Sequence, residues 1–370
     1  MARDRILVAP LDWGLGHATR CIPVIAHLLA AGRAVVLGGS GDSLTLLSHT
    51  FPGLPVLPLP GYRVHYAAGR RQIPGLVRQM PRLLSTIREE HQILKSAIPA
   101  WGIDAVISDN RYGLWTRQTP CVIICHQLSI ALPRSLALFH RSLYVLHRRF
   151  LRRFDRCWVP DFPEQESSLA GCLAHSYSPG AEIRFIGPLS RFANAGPAPG
   201  AFSYPELADS LPDAVAVLSG PEPQRSMLEA LLLKQAADDE GKLWIVQGLP
   251  GVRQVAVRGR NALVSYMDTG DLHRLYTHAP VVISRPGYSS LMDFHALGIK
   301  RMILIPTPGQ TEQEYLAAEL TRKGVAPAYA QQDFHLTEAI GQADGYGGFA
   351  ARPGGAAALL RQAVDELLFT

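Results

Sequence analysis

The stretch RILVAPLDWGLGHATRC, Arg5 to Cys21, decides the fold of the first half of the chain. An apolar, strand-like run enters a turn carrying Gly14 and Gly16. A helical pattern, ATRCIPVIAHLLAAG, follows and closes on Gly32, as helix C-termini commonly do. Strand, glycine turn and helix form the opening unit of a doubly wound sheet, whose ligands sit outside the carboxyl ends of the strands. The glycines allow close backbone approach, and the helix start offers N–H groups and a positive dipole end to an anion. His17 falls at that helix start, where it can act as a general base or donate to a phosphate. The plainer alternative is a glycine-rich turn with a histidine beside it. The full dinucleotide fingerprint is absent, because no third glycine completes GxGxxG.

The same alternation continues outward. AVVLGG, LPVLPLP, a helical stretch from Ile73 to Ala97, DAVISD, CVIICHQ, a basic helix and DRCWVPD lead to NAGPAPGAF, Asn194–Phe202. That segment, rich in Pro, Gly and Ala, is the expected linker. Beyond it DAVAVLSG, KLWIVQG, ALVSYM, APVVISRPG, RMILIPTPG and VAPAYA read as strands separated by helices, and AAALLRQAVDELL as a closing helix. The expectation is α/β class with two tandem doubly wound, Rossmann-like domains. Residues 1–193 form the first, 194–202 the linker and 203–370 the second, with the last helix free to pack back on the first.

The length of 370 residues suits two domains, and 47% hydrophobic against 18% charged residues is globular. No apolar run is long enough to span a membrane, and MARDR leads directly into a strand, so a cytoplasmic location without a signal peptide is expected. Five cysteines without a CxxC pair read as reduced core thiols. Residues 1–195 carry 22 Lys and Arg against 12 Asp and Glu, and the remainder 14 against 19. The basic half is expected to meet an anionic partner such as a lipid headgroup or a phosphorylated acceptor. No recognition-helix pattern or aromatic-interleaved basic strand points to nucleic acid.

Three strand ends in the second half repeat the opening idea. VLSGPEPQR places Ser219 and Gly220 before a helix that Pro221 or Pro223 can begin. VVISRPGYSSLMD gathers Arg285, Gly287, Ser289 and Ser290 where a diphosphate can bind. Asp293 stands on the same helical face, one turn deeper, where a carboxylate can accept the hydroxyls of a ribose. IPTPGQTEQEYLA adds Gln310, Thr311, Gln313 and Glu314, groups suited to polyhydroxyl recognition. Each has a bland alternative as an ordinary helix start.

Pro133–Phe154 reads as an amphipathic helix. Leu136, Phe139, Leu143, Leu146 and Phe150 recur at helical spacing, and Arg141, Arg148, Arg149, Arg152 and Arg153 gather toward its far end. It can lie on an anionic membrane, or pack its apolar face in the core and leave the arginines solvated. Asp12 and Asp109 stand at strand ends, and either can orient His17 or act as a base. No DxD or GxxxxGK[ST] segment is present, so no metal or other cofactor is expected.

The strand–GxGH–helix start, with SRPGYSSLMD and IPTPGQTEQEYLAAEL near the end, resembles the family 28 glycosyltransferases of the GT-B fold. The resemblance covers both halves, and its C-terminal motif is the specific part. It implies two domains facing a cleft, the first taking a glycan or lipid-linked acceptor and the second a UDP-sugar. It implies that His17 is the histidine of the N-terminal glycine loop and that Ser219 and Gly220 form the second loop. Tyr266 and Met267 match a segment whose backbone borders the uracil. Ser289 and Ser290 match a phosphate-facing helix start, and Asp293 stands where the family has a ribose-binding glutamate. Gln313 and Glu314 stand where it has a Gln-Gln pair for the donor sugar, so Glu314 departs from the pattern. The implied reaction is inverting, metal-independent transfer of an N-acetylhexosamine to an acceptor hydroxyl at the inner face of the membrane. The GLGHATRC start is also similar to the UDP-sugar hydrolases of pseudaminic acid synthesis, in which the histidine assists water. A nucleotide-sugar-binding protein without turnover is a third alternative.

Overall fold

The computed structural model describes residues 4–62, 72–132, 140–193, 196, 198, 200–207, 211–220, 222–249, 251–350 and 355–368. Pro133–Phe139 of the expected basic helix, part of the expected linker and Pro221 lie outside them. The chain divides into two compact units. The first comprises Met1–His65, Ile73–Ser190 and Pro353–Thr370, and the second is built on Arg191–Arg352.

In the first unit the strands are β1 (Arg5–Pro10), β2 (Ala34–Gly39), β3 (Val56–Pro58), β4 (Ala105–Asp109), β5 (Cys121–Ile124), β6 (Arg156–Val159) and β7 (Glu182–Phe185). All pair in parallel, in the order β3-β2-β1-β4-β5-β6-β7. Its helices are α1 (Leu15–Ala30), α2 (Gly41–Thr50), α3 (Gln72–Trp101), α4 (His140–Leu151) and the single turn α5 (Cys172–His175). β4 and β5 are buried throughout, which is why AVISD and CVII read as continuous apolar runs rather than alternating ones. The chain winds outward from β1 through β2 to β3, then returns to place β4 on the other side of β1. The reversal opens a crevice at the carboxyl ends of β1 and β4, where doubly wound sheets take their ligands.

The second unit holds β8 (Ala214–Val217), β9 (Leu243–Val246), β10 (Val255–Arg258), β11 (Asn261–Val264), β12 (Val282–Ser284) and β13 (Met302–Leu304) in the order β10-β11-β9-β8-β12-β13. Its helices are α6 (Gln224–Ala236), α7 (Thr269–His278), α8 (Tyr288–Leu297), α9 (Thr311–Arg322) and α10 (Leu336–Gln342). Ile245, Ala216, Ile283 and Ile303 lie side by side across the sheet and join Leu228, Leu232 and Phe334 in one core cluster. The winding direction again reverses, here between β8 and β12.

Three expectations need correction. VAPAYA is not a strand: Ala328 makes an isolated bridge to Leu304. VAVRGRNALV, by contrast, holds an additional strand, since β10 pairs antiparallel with β11. The intervening Gly259 takes φ 61°, the conformation that tight hairpins require and glycine supplies freely. Four cysteines are buried, but Cys172 is exposed.

The closing helix α11 (Gly355–Leu368) belongs to the first unit. Leu360, Ala363, Val364 and Leu367 are buried at helical spacing. Arg156 donates to the Glu366 carbonyl at 2.8 Å and Arg184 to its carboxylate at 2.7 Å.

Candidate functional site

β1 ends at Pro10, and the turn that follows is held from several sides. Leu11 N donates to Asp109 O at 2.9 Å, tying it to β4, and Ser43 of α2 donates to Gly14 O at 3.2 Å. Gly14 is the residue before α1 and takes φ 80°, which a side chain would strain. Gly16, by contrast, is already helical, and its carbonyl accepts from the Thr19 hydroxyl at 3.0 Å. His17 therefore stands in the first turn of α1.

At the end of β4, Asp109 is fully buried and faces His17, with Oδ1 3.2 Å from Nδ1. Arg20, one turn further along α1 and 2% exposed, donates from Nε to Asp109 Oδ2 at 2.6 Å and from Nη2 to Oδ1. The same Nη2 lies 2.8 Å from His17 Nδ1, and Nη1 lies 3.2 Å from Nδ1 of His126, just beyond β5. Burial alone would raise the Asp109 pKa, but Arg20 and His17 together hold it well below the carboxylate range. Burial and the Arg20 charge lower the pKa of His17 below 6.5, against the opposing pull of Asp109. The His17 side chain is 17% exposed, and its Nε2 makes no hydrogen bond among the described residues. Such a ring is anchored on one nitrogen and open on the other, the form a general base takes.

The two aspartates separate clearly. Asp12 receives the Tyr62 N–H on both oxygens, at 3.1 and 3.0 Å, and the Ser40 hydroxyl at 3.1 Å. It braces the loop after β3, whereas Asp109 is the partner of His17. Behind that loop a buried network holds Tyr62 in place. Glu90 accepts from Arg111 at 2.6 Å, from Tyr62 OH at 2.5 Å and from Gly113 N at 3.2 Å. Arg111 also donates to the carbonyls of Pro10 and Pro60, at 2.7 and 3.0 Å. Sequence reasoning missed Arg20, His126, Glu90 and Arg111. Only Arg20 left a signal, its spacing of three from His17 on one helix face.

In the second unit every expected donor residue lies at the carboxyl edge of the sheet. Ser219 and Gly220 follow β8 and are exposed, and Gly287, Ser289 and Ser290 begin α8 after the adjacent β12. Gln310, Gln313 and Glu314 follow β13, next again in the sheet. Tyr266 and Met267 follow β11, with Met267 buried in the core and the Tyr266 carbonyl accepting from Tyr204 OH.

Several of these side chains already have internal work. Arg285, expected to face a ligand, is 1% exposed and staples four segments together. It donates to Ile305 O, Pro306 O, Gln224 O and Gln331 Oε1, at 2.9, 3.0, 3.1 and 2.6 Å. Burial lowers its pKa to about 10, so it stays charged at neutral pH. Asp293 is 5% exposed and accepts from Arg191 Nε at 3.1 Å, so the carboxylate expected to meet a ribose is paired with an arginine that sequence reasoning overlooked. Gln313 Oε1 accepts from Thr307 N at 2.8 Å and Glu314 Oε1 from Gly309 N at 3.0 Å, both shaping the turn after β13.

Residues 252–343 match the glycosyltransferase family 28 C-terminal domain. Along its length the chain is similar to two uncharacterized glycosyltransferases. That of Methanosarcina mazei is 22% identical over 343 residues, covering 86% of this chain and 84% of the relative. That of Methanosarcina acetivorans is 24% identical over 351 residues, covering 90% and 84%. Solved structures of similar fold include the glycosyltransferase of kitacinnamycin, with TM-score 0.60, 16% identity and coverage of 100% and 96%. Another is the spinosyn rhamnosyltransferase, with TM-score 0.59, 18% identity and coverage of 98% and 96%. The latter enzyme has also been solved with thymidine diphosphate. These likenesses establish the GT-B fold of two mostly parallel α/β sheets.

Proposed function

We propose that this glycosyltransferase moves a sugar, an N-acetylhexosamine, from a UDP donor to an acceptor hydroxyl by inverting, metal-independent transfer. One observation carries the reading: His17 and Asp109 converge at the winding reversal of the first sheet, with Nε2 of the ring left open. In this account the acceptor belongs to the first unit. Nε2 takes the proton of its hydroxyl as the oxygen attacks the anomeric carbon, a contribution typically worth about 10²–10⁴ in rate. The donor belongs to the second unit, at the reversal between β8 and β12. There the Ser219–Gly220 turn and the start of α8 at Ser289 and Ser290 stabilise the charge that develops on the departing diphosphate. Asp293, held by Arg191, serves the ribose, while Gln310, Gln313 and Glu314 border the sugar.

The acceptor in this reading is a glycan or is lipid-linked, and α4 supports membrane contact. Val145 and Leu146 are 59% and 43% exposed, and Arg141, Arg148, Arg149 and Arg152 are exposed with them. No acidic residue occurs between 133 and 154. An exposed apolar pair ringed by cations suits an anionic headgroup layer. Leu146 thus does not join the buried side of this helix, which His147 and Leu151 supply.

Mass spectrometry of the protein in a mixture of UDP-, GDP- and dTDP-sugars tests the donor. Retention of a UDP-sugar, with only slow UDP release when no acceptor is present, is the expected result. Rapid release to water would make the chain a hydrolase, and retention of another nucleotide would overturn the donor assignment.

A further inference from the structure

Asp109 is the natural partner of a histidine base, yet it does not face His17 alone. Arg20 engages both of its oxygens through Nε and Nη2, the paired geometry in which arginine holds a carboxylate most firmly. Arg20 Nη2 also lies closer to His17 Nδ1, at 2.8 Å, than Asp109 Oδ1 does, at 3.2 Å. A carboxylate alone beside an imidazole favours the imidazolium. A guanidinium locked to that carboxylate cancels most of its field at the ring and adds a repulsion of its own.

We propose that Arg20 is a positioning residue of this site, holding both oxygens of Asp109 so that His17 and Asp109 do not form an ion pair at rest. His17 then meets the acceptor as a neutral imidazole, and in the tautomer whose Nδ1–H donates to Asp109 Oδ1 its Nε2 can receive a proton. The inference rests on the reading of His17 as the proton acceptor, but its test does not depend on turnover.

The charged and titratable groups acting on the ring are Arg20 from α1, Asp109 from the end of β4 and His126 from beyond β5, while Cys21 and Cys125 act on the Asp109–Arg20 pair. Burial and Asp109 push the Cys21 thiol well up, and burial does the same for the neighbouring Cys157, so neither adds charge near neutral pH. The signs follow from the two charged partners. Removing the cation while keeping the carboxylate raises the His17 pKa, and removing the carboxylate while keeping the cation lowers it.

The experiment is a pH titration of the His17 ring by NMR in full-length protein with labelled histidine, the signal being assigned with His17→Gln. Wild type is expected to titrate below 6.5. Arg20→Gln should move the midpoint upward, and Asp109→Asn downward, each by about one pH unit. Arg20→Lys, which keeps the charge but not the fork, should fall between wild type and Arg20→Gln. A merely structural role for Arg20 would leave the midpoint in place or move it the same way in both variants, and either result overturns the proposal. A wild-type midpoint at or above 6.5 overturns it too, even if Arg20→Gln does not fold. If the titrations behave as expected but His17→Gln retains full transferase activity, the tuning stands and the assignment of His17 as the base fails.

Discussion

His17 Nδ1 and Asp109 Oδ1 lie 3.2 Å apart although the residues are 92 positions apart in the chain. Their meeting is a product of topology. β4 pairs with β1 residue for residue up to Pro10 opposite Asp109, which brings the acid to the level where the glycine turn delivers α1.

This geometry assigns different duties to the two strand-end aspartates. Asp109→Asn should lower kcat by about 10² or more, since the ring loses the group that orients it. Asp12→Asn keeps an acceptor for the Tyr62 N–H and should cost less than tenfold. Steady-state kinetics of both variants, against donor and acceptor, check the ordering, and a larger loss in Asp12→Asn would reverse the assignment.

The buried Glu90–Arg111 pair gives a stability prediction. Arg111→Met leaves the Glu90 carboxylate unpaired in the interior and should destabilise the first unit by about 3–5 kcal/mol. The double variant Glu90→Gln with Arg111→Met should recover part of that loss, because no uncompensated charge remains. Urea denaturation of both proteins measures the difference. An equal loss in the two would show that the charge was not the cause.

The exposed face of α4 predicts lipid dependence. Sedimentation with phosphatidylglycerol vesicles should retain the protein at low salt, and phosphatidylcholine vesicles should not. Arg148→Glu with Arg149→Glu should abolish retention, each basic group near an anionic surface being worth about 1 kcal/mol. Retention unchanged by the double variant would remove α4 from the interface.

Much of the fold was legible in the sequence because parallel strands buried on both faces leave uninterrupted apolar runs, and helices between them close on glycine. What was missed or over-read was marginal by that signal. β7 alternates only weakly, β10 is exposed over three of its four residues, and VAPAYA has strand composition but forms a single bridge. The site was legible where one loop carries several groups, as in GLGHATR and SRPGYSS. It was hidden where partners come from distant strands: nothing in ISDNRYG says that Arg111 reaches Glu90, and nothing near Arg191 says that it meets Asp293. Arg285 shows the converse hazard. An arginine beside a glycine turn reads as a ligand group, but burial and four internal acceptors make it a brace.

The most direct test of the account compares turnover and nucleotide binding in a single variant. His17→Ala should lower kcat by about 10²–10⁴ while calorimetry finds the affinity for UDP unchanged within twofold, because the proposed function assigns proton removal and diphosphate binding to different units. Turnover close to wild type, or a loss of UDP affinity matching the loss of rate, would contradict it.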